Sequence, residues 1–233
     1  MKFALCNEIM KEFEIEKQFE VAAEIGFDAL EIAPFTLNDW VQEITEEQKQ
    51  RIRKASEDTG VAAAGIHWLL VGPTGLHITD PDPDVRAKTT AYCEDLVRFG
   101  LEIGATYEVV GSPGQRERKE GITYGQCWEW FKQAMAASAQ VEGAEDFKVC
   151  IEPLAVSTNN NFIFNHYEAV NRHLIHQPAA NATHVRLATV VRAPRWGQVP
   201  APRPPRPCRP PAATTSVQTP PVAAPGRSAS AAP

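Results

Sequence analysis

The feature that most constrains the fold is a unit that recurs along residues 1–151. Each unit has a short apolar run, a longer amphipathic segment and, in four cases, a closing glycine. These glycines are Gly26, Gly60, Gly104 and Gly143. Each lies where a residue with left-handed backbone geometry commonly ends a helix. Strands that alternate with helices in this way predict a parallel sheet with helices packed outside it.

The apolar runs predict five strands, at 3–6, Ala29–Ile32, 61–66, Tyr107–Val110 and Lys148–Ile151. Two intervening segments begin with the spacing of a capping box, Thr45 with Gln48 and Thr123 with Gln126. Pro83 fits the first turn of the third helix. The front of the chain therefore contains five β-α steps.

Two α/β architectures suit such a repeat, a (β/α)8 TIM-type barrel and an open doubly wound sheet. No G-x-G-x-x-G motif follows the first predicted strand, and the sequence has no Walker loop. The absence of a nucleotide-binding loop favours the barrel. A length of 233 residues suits one domain, because single barrels run to about 250 residues.

The composition changes abruptly near residue 170. All 29 Asp and Glu residues lie in 1–168, against 15 Lys and Arg, which gives that part a net charge of −14. Residues 169–233 contain eight Arg, no Lys and 13 of the 19 prolines. We therefore expect an incomplete barrel of about five β-α units in 1–170. A disordered tail rich in Pro, Arg and Ala is expected in 171–233.

Two hypotheses account for this tail. It is an out-of-frame translation of a GC-rich gene, or a miscalled gene end, because the switch falls inside the expected fifth helix. Alternatively, it is a genuine disordered segment whose arginines bind acidic partners. The coding DNA around codon 170, read in all three frames, distinguishes the two.

Composition also limits the compartment and the partners. The five cysteines show no C-x-x-C spacing and four lie in apolar patterns, which predicts buried reduced thiols. No run approaches the roughly 20 apolar residues that cross a bilayer, and the N-terminal apolar run soon meets Glu8. We expect a soluble cytoplasmic protein without membrane contact, and the acidic front part argues against a nucleic-acid surface.

Polar residues follow the predicted strands at the end where a barrel has its active site. They are Asn7, Glu8, Glu31, His67, Ser112 and Glu152. Glu152 comes directly after the fifth strand, where a carboxylate can bind a divalent metal or abstract a proton next to a carbonyl. The alternative is a solvated glutamate at the end of a strand.

Five candidates for substrate contact lie at or near these strand ends. His67 can bind a sugar hydroxyl while Trp68 offers an apolar wall. The alternative is that His67 lies under a loop with its hydrogen bonds made inside the protein. Ser112, Gln115 and Arg116 lie in the loop after the fourth strand, where the planar Arg116 guanidinium can hold an anionic or hydroxyl-rich substrate. The alternative is a plain turn with an exposed arginine.

Two other positions are less specific. Asn161 lies in a run of three asparagines that is either a sugar-contacting loop or a polar connection. His77 lies in a polar loop, and we expect it at the surface.

Residues 150–154 resemble the sugar phosphate isomerase/epimerase group of the xylose-isomerase-like barrels. Residues 65–70 and 75–83 are similar to that group's third strand and the loop after it. Residues 111–116 resemble its fourth-strand loop, and 161–163 the stretch after its fifth strand. The motifs occur in the same order, and the resemblance covers about residues 1–170.

The resemblance implies a sugar or sugar phosphate isomerase or epimerase that uses Mn, Mg or Co and works through an enediolate. Glu152 would bind the metal and act as one acid/base. His67, Trp68, Ser112, Gln115, Arg116 and Asn161 are the expected substrate contacts. The family's Asp, His and Glu of strands six to eight have no counterparts, because 169–233 has no acidic residue. We therefore expect impaired activity.

Two alternatives stay open. The chain is a non-catalytic fragment or binding module with a basic tail. An apurinic endonuclease-like barrel is less favoured, because that branch uses a His-rich zinc cluster and this loop offers Ser112 instead. A homo-oligomer is also left open by the sequence.

Overall fold

A computed structural model describes residues 2–154, and a five-stranded parallel sheet lies at its centre. The strands are β1 (Ala4–Cys6), β2 (Ala29–Ile32), β3 (Ala62–Ile66), β4 (Tyr107–Val110) and β5 (Lys148–Ile151). The helices between them are α1 (Ile15–Ile25), α2 (Glu46–Thr59), α3 (Pro83–Glu102) and α4 (Tyr124–Ser138). Asn161, the boundary near 170 and the tail at 171–233 lie outside the described residues.

The strand order distinguishes the two architectures that the sequence left open. Each strand pairs with the next one in the chain, in the order β1-β2-β3-β4-β5. A doubly wound sheet reverses its strand order at a switch point, whereas a barrel adds each strand beside the previous one. The five strands and the four helices between them therefore follow barrel topology, and the predicted fold class is confirmed.

The helix ends follow from local sequence chemistry. Both capping boxes form, with the Thr45 and Thr123 hydroxyls accepting from the backbone N–H three residues later. Gly26 and Gly60 have φ values of 95° and 72° and close α1 and α2. α4 ends at Ser138 rather than near Gly143, because the chain turns to bury Val141, Ala144 and Phe147 before β5.

The core lies between the sheet and the helices. Each helix contributes a large side chain that is shielded from solvent: Phe19, Ile52, Leu96 and Phe131. Burial of such a side chain stabilises the fold by about 1.5–3 kcal/mol. This packed layer fixes the positions of the strand ends that carry the candidate site.

The structure confirms one prediction about side chains and overturns another. The four described cysteines are free thiols, and three of them are buried. His77 is only 7% exposed, so the prediction of a surface position was wrong. Its backbone N–H donates to the Thr89 hydroxyl of α3 at 2.8 Å, which draws the loop onto the helix. Burial lowers the pKa of His77 to about 4.

Residues 2–154 form no helix with the length and apolar character that crossing a bilayer requires.

Candidate functional site

Strand register brings three polar side chains to one face of the sheet. Cys6 on β1 lies opposite Glu31 on β2, and Glu31 lies opposite Gly65 on β3. His67 comes two residues after Gly65, and side chains two residues apart along an extended chain point to the same face. These three residues therefore meet although 61 positions separate Cys6 from His67 in the sequence.

Glu31 has a hydrogen-bond partner for each carboxylate oxygen. His67 Nδ1 lies 3.0 Å from Oε2, and the Tyr107 hydroxyl donates to Oε1 at 2.8 Å. Burial opposes ionisation of Glu31, but these two hydrogen bonds outweigh it and lower its pKa. Glu31 is therefore a carboxylate at neutral pH.

Gly65 makes the Tyr107 contact geometrically feasible. A Cβ added at Gly65 would collide with the Tyr107 ring, which lies across β3 on its way to Glu31. The glycine thus has a packing role in the middle of a strand, where it otherwise weakens a sheet.

Glu152 follows β5 and approaches His67 from the other side. Its Oε2 lies 3.9 Å from His67 Nε2, and its side chain is 41% exposed. A Cβ added at Gly111, just after β4, would collide with the same oxygen. Gly111 therefore leaves the space that the Glu152 carboxylate occupies. The nearby His67 imidazolium lowers the pKa of Glu152, although burial opposes this.

His67 lies between two carboxylates and is held as a cation. Burial disfavours its charged form, but interactions with Cys6, Glu152 and Glu31 outweigh burial and raise its pKa to about 11. The imidazolium is therefore a fixed positive charge at the mouth of the sheet throughout the neutral range.

Two predicted substrate contacts have unusual backbone geometry. Trp68 and Ser112 have φ values of 56° and 40° directly after β3 and β4, in a region that non-glycine residues rarely adopt. Such conformations concentrate at functional sites. Trp68 is 40% exposed, its indole N–H donates to Glu8 at 2.8 Å, and its ring stacks near His67.

Ser112 and Gln115 lie deeper than the loop suggests. Ser112 is buried, and its hydroxyl has no hydrogen-bond partner within residues 2–154. Gln115 is half-buried, and its carbonyl accepts from the backbone N–H of Ile78 at 2.7 Å. This bond joins the loops that follow β3 and β4.

Arg116 is fully buried, which differs both from the predicted substrate contact at the loop surface and from its alternative, an exposed arginine in a turn. Its guanidinium donates to the backbone carbonyls of Val110 at 3.0 Å and Glu152 at 2.6 Å. Burial lowers its pKa to about 10. The side chain thus ties the ends of β4 and β5 together, and both terminal nitrogens face backbone rather than open space.

Cys6 and Tyr107 also lie at the site, and no sequence pattern predicted a role for them there. The Cys6 sulfur, a Glu31 oxygen and a His67 ring nitrogen lie within 4.8 Å of one another, an arrangement that could hold a metal ion. The sequence does contain one signal for Tyr107. Gly65 lies on the neighbouring strand, and a glycine there leaves room for the Tyr107 ring.

The chain is similar to one protein family and to several solved structures. The family model described as xylose isomerase-like TIM barrel matches residues 19–173. The structure of 3-keto-D-glucoside 4-epimerase from E. coli is similar at 19% identity and a TM-score of 0.51, covering 66% of this chain and 56% of that one. A D-psicose 3-epimerase structure determined with D-fructose has 19% identity, a TM-score of 0.55 and coverages of 68% and 54%.

A third similar structure is an AP endonuclease, family 2, from Brucella melitensis. It has 18% identity and a TM-score of 0.54, with coverages of 73% and 63%. The chain thus spans little more than half the length of the solved structures it resembles, and at these identities the likeness shows the fold alone. No significant match was found among curated protein sequences.

Proposed function

Because this chain belongs to the xylose isomerase-like TIM barrel family, we propose that its site transfers a proton at the carbon next to a sugar carbonyl. The substrate class is a small sugar or sugar phosphate, and the reaction is isomerisation or epimerisation through an enediolate. One observation carries the proposal: the Glu152 carboxylate and the His67 imidazolium face each other across 3.9 Å at the carboxyl ends of the strands.

Glu152 is the proposed base. The carboxylate is ionised at neutral pH, so the form that accepts a proton is present, although the lowered pKa makes Glu152 a weaker base. Its exposed fraction of 41% leaves the carboxylate open to a ligand. Gly111 below it and the backbone bond from Arg116 fix where the carboxylate lies.

His67 is the proposed electrostatic stabiliser. With a pKa of about 11 it gives up its proton too reluctantly to act as a general acid at neutral pH. A fixed cation beside the reacting carbon instead stabilises the negative oxygen of the enediolate. Glu31 holds the ring from the opposite side through Nδ1, which leaves Nε2 directed toward Glu152.

We retain Trp68, Ser112 and Gln115 as proposed sugar contacts. Trp68 offers an exposed ring beside His67, and Ser112 offers a hydroxyl that has no partner among the described residues. Arg116 is proposed to act on the substrate only through the backbone it holds. Asn161 stays a prediction.

The resemblance implies a bound metal, Mn, Mg or Co, and the residues around Glu152 show how far the chain can hold one. Within residues 2–154, Glu152 belongs to no group of three or more side chains that could hold an ion. Hard cations take about six ligands, mostly oxygen, and 169–233 contains no Asp or Glu. The described residues therefore do not fit a complete hard-cation site at Glu152. We propose reduced activity for this reason.

DNA cleavage is the weaker alternative. One of the similar solved structures is an AP endonuclease, but residues 1–168 carry a net charge of −14, which repels phosphate backbones. A non-catalytic binding module is the other alternative, and the experiment below separates it from an enzyme.

The test is solvent deuterium exchange at the carbon next to the carbonyl, followed by NMR with the full chain and a panel of ketoses and ketose phosphates. Glu152→Gln keeps the shape of the side chain and removes the base, so we expect exchange to fall by about 100-fold or more. Glu142→Gln makes the same change at an exposed position and should leave exchange intact.

Exchange at the unsubstituted rate in Glu152→Gln would refute the role of this carboxylate. Exchange that is absent with every sugar in the unsubstituted chain would instead support the binding module.

A further inference from the structure

We propose that Cys6, Glu31 and His67 form a site for a borderline divalent cation, zinc or cobalt(II), at a place distinct from the metal position implied for Glu152. The three ligand atoms lie within 4.8 Å of one another. A tetrahedral zinc ion with bonds of about 2.0–2.3 Å needs its ligands roughly 3.5 Å apart. Small side-chain rotations therefore close the site around an ion.

The backbone already positions these ligands. They come from β1, β2 and the end of β3, three strands hydrogen-bonded to one another in register. A site built on paired strands keeps its geometry better than one built on loops. The Glu31 and His67 side chains are 18% and 25% exposed, so an ion can reach them from the open face of the sheet.

The donor set selects the type of cation. A thiolate, an imidazole and a carboxylate together suit zinc or cobalt(II), whereas magnesium and manganese prefer oxygen ligands throughout. Three protein ligands leave a fourth position for water or a ligand, the arrangement of zinc sites that take part in reactions. The thiolate and carboxylate together neutralise the two positive charges of the ion.

The surrounding hydrogen bonds suit this assignment. Tyr107 donates to Oε1 of Glu31 and leaves Oε2, the oxygen next to His67, for the cation. An ion at Nδ1 replaces the proton shared with Glu31 and requires a proton on Nε2. Glu152 lies on that side, with its Oε2 3.9 Å from Nε2. A small rotation of the Glu152 side chain lets this oxygen accept a hydrogen bond from Nε2. A carboxylate behind a metal-bound histidine fixes its tautomer in many metal sites.

The experiment uses the full chain stripped with a chelator, in a Cys208→Ser background that removes the tail thiol. Cobalt(II) is titrated while absorption is recorded. We expect a near-ultraviolet thiolate-to-cobalt band together with the intense visible bands of tetrahedral cobalt. Cys6→Ser should remove the near-ultraviolet band, and Cys150→Ser, which removes a thiol elsewhere in the sheet, should keep it. Tyr107→Phe should weaken cobalt affinity by about tenfold or more.

A second measurement requires no variant at the site. Zinc should slow alkylation of Cys6 by iodoacetamide, read by mass spectrometry of its peptide. The proposal is overturned if cobalt gives no thiolate band, if Cys6→Ser leaves the band unchanged, or if zinc fails to protect Cys6. The proposal does not depend on sugar chemistry, since Glu152→Gln should keep the cobalt band while losing proton exchange.

Discussion

Glu31 and Glu108 are two shielded carboxyl groups on opposite faces of the same sheet, and their charge states differ. Glu31 lies in register with Gly65 and Tyr107, so the next residue along β4, Glu108, points to the other face, toward the helices. The Glu31 side chain is 18% exposed, and Glu108 is 1% exposed.

The partners of each group decide its charge. Glu31 receives hydrogen bonds from His67 and Tyr107, and its pKa is lowered. Glu108 Oε2 has no partner in residues 2–154, and burial raises its pKa to about 8. The inner face is therefore organised to hold charge, and the outer face excludes it.

The largest expected effect is the pH dependence of stability caused by Glu108. Its carboxyl loses a proton near pH 4.5 when unfolded and near pH 8 when folded, so the unfolded state binds fewer protons between these values. Stability must therefore fall as pH rises through this window, by about 1.4 kcal/mol per pH unit. Relative to Glu108→Gln, the free energy of unfolding of the unsubstituted chain should fall by about 3 kcal/mol between pH 5 and pH 8, as measured by urea unfolding.

Glu142→Gln changes an exposed position, so its free energy of unfolding should show the same pH dependence as that of the unsubstituted chain. A constant difference between Glu108→Gln and the unsubstituted chain would mean that the folded state supplies Glu108 with a partner.

A smaller effect is expected at the other carboxylate. Glu31→Gln should destabilise the fold by about 2 kcal/mol near neutral pH, less than for a fully buried pair, because His67 can lose its proton instead. The folded pKa of Glu31 is lowered, so its contribution exists above pH 4.5 and disappears as acid protonates it. Urea unfolding should show that the stability difference between Glu31→Gln and the unsubstituted chain shrinks at low pH. A difference that stays the same at all pH values would contradict the pairing of Glu31 with His67.

The smallest stability effect is expected at Gly111. Its φ is not left-handed, and an added Cβ meets only the flexible end of Glu152, so Gly111→Ala should cost less than about 1 kcal/mol. The displaced carboxylate should still reduce proton exchange by about tenfold or more. Gly114→Ala is the matched control, because a Cβ there meets nothing within 4 Å. Equal exchange in the two variants would show that Gly111 does not position Glu152.

Much of the backbone was predictable because its signals are local. Both capping boxes, the glycines that end α1 and α2, and the five strands are encoded within a few residues. The barrel topology followed from the repeat and from the missing nucleotide motif. The polar residues at the strand ends were also visible, since they simply follow apolar runs.

The environment of individual side chains was not predictable, because it depends on distant residues. Glu31 meets partners 36 and 76 positions away in the chain. Arg116 lies in a glycine-rich polar loop that suggests exposure, yet it is buried against carbonyls of two strand ends. Nothing in the alternation of β4 reveals that Glu108 is buried or that its Oε2 finds no partner in residues 2–154.

The central claim is that His67 of the metal-free chain is a cation between Glu31 and Glu152, and ¹⁵N NMR of its imidazole ring tests it most directly. In chain stripped of metal, we expect both ring nitrogens to carry protons at pH 7 and titration to begin only well above pH 8, in line with a pKa of about 11. A neutral ring at pH 7 that titrates near its ordinary value of 6.5 would contradict it.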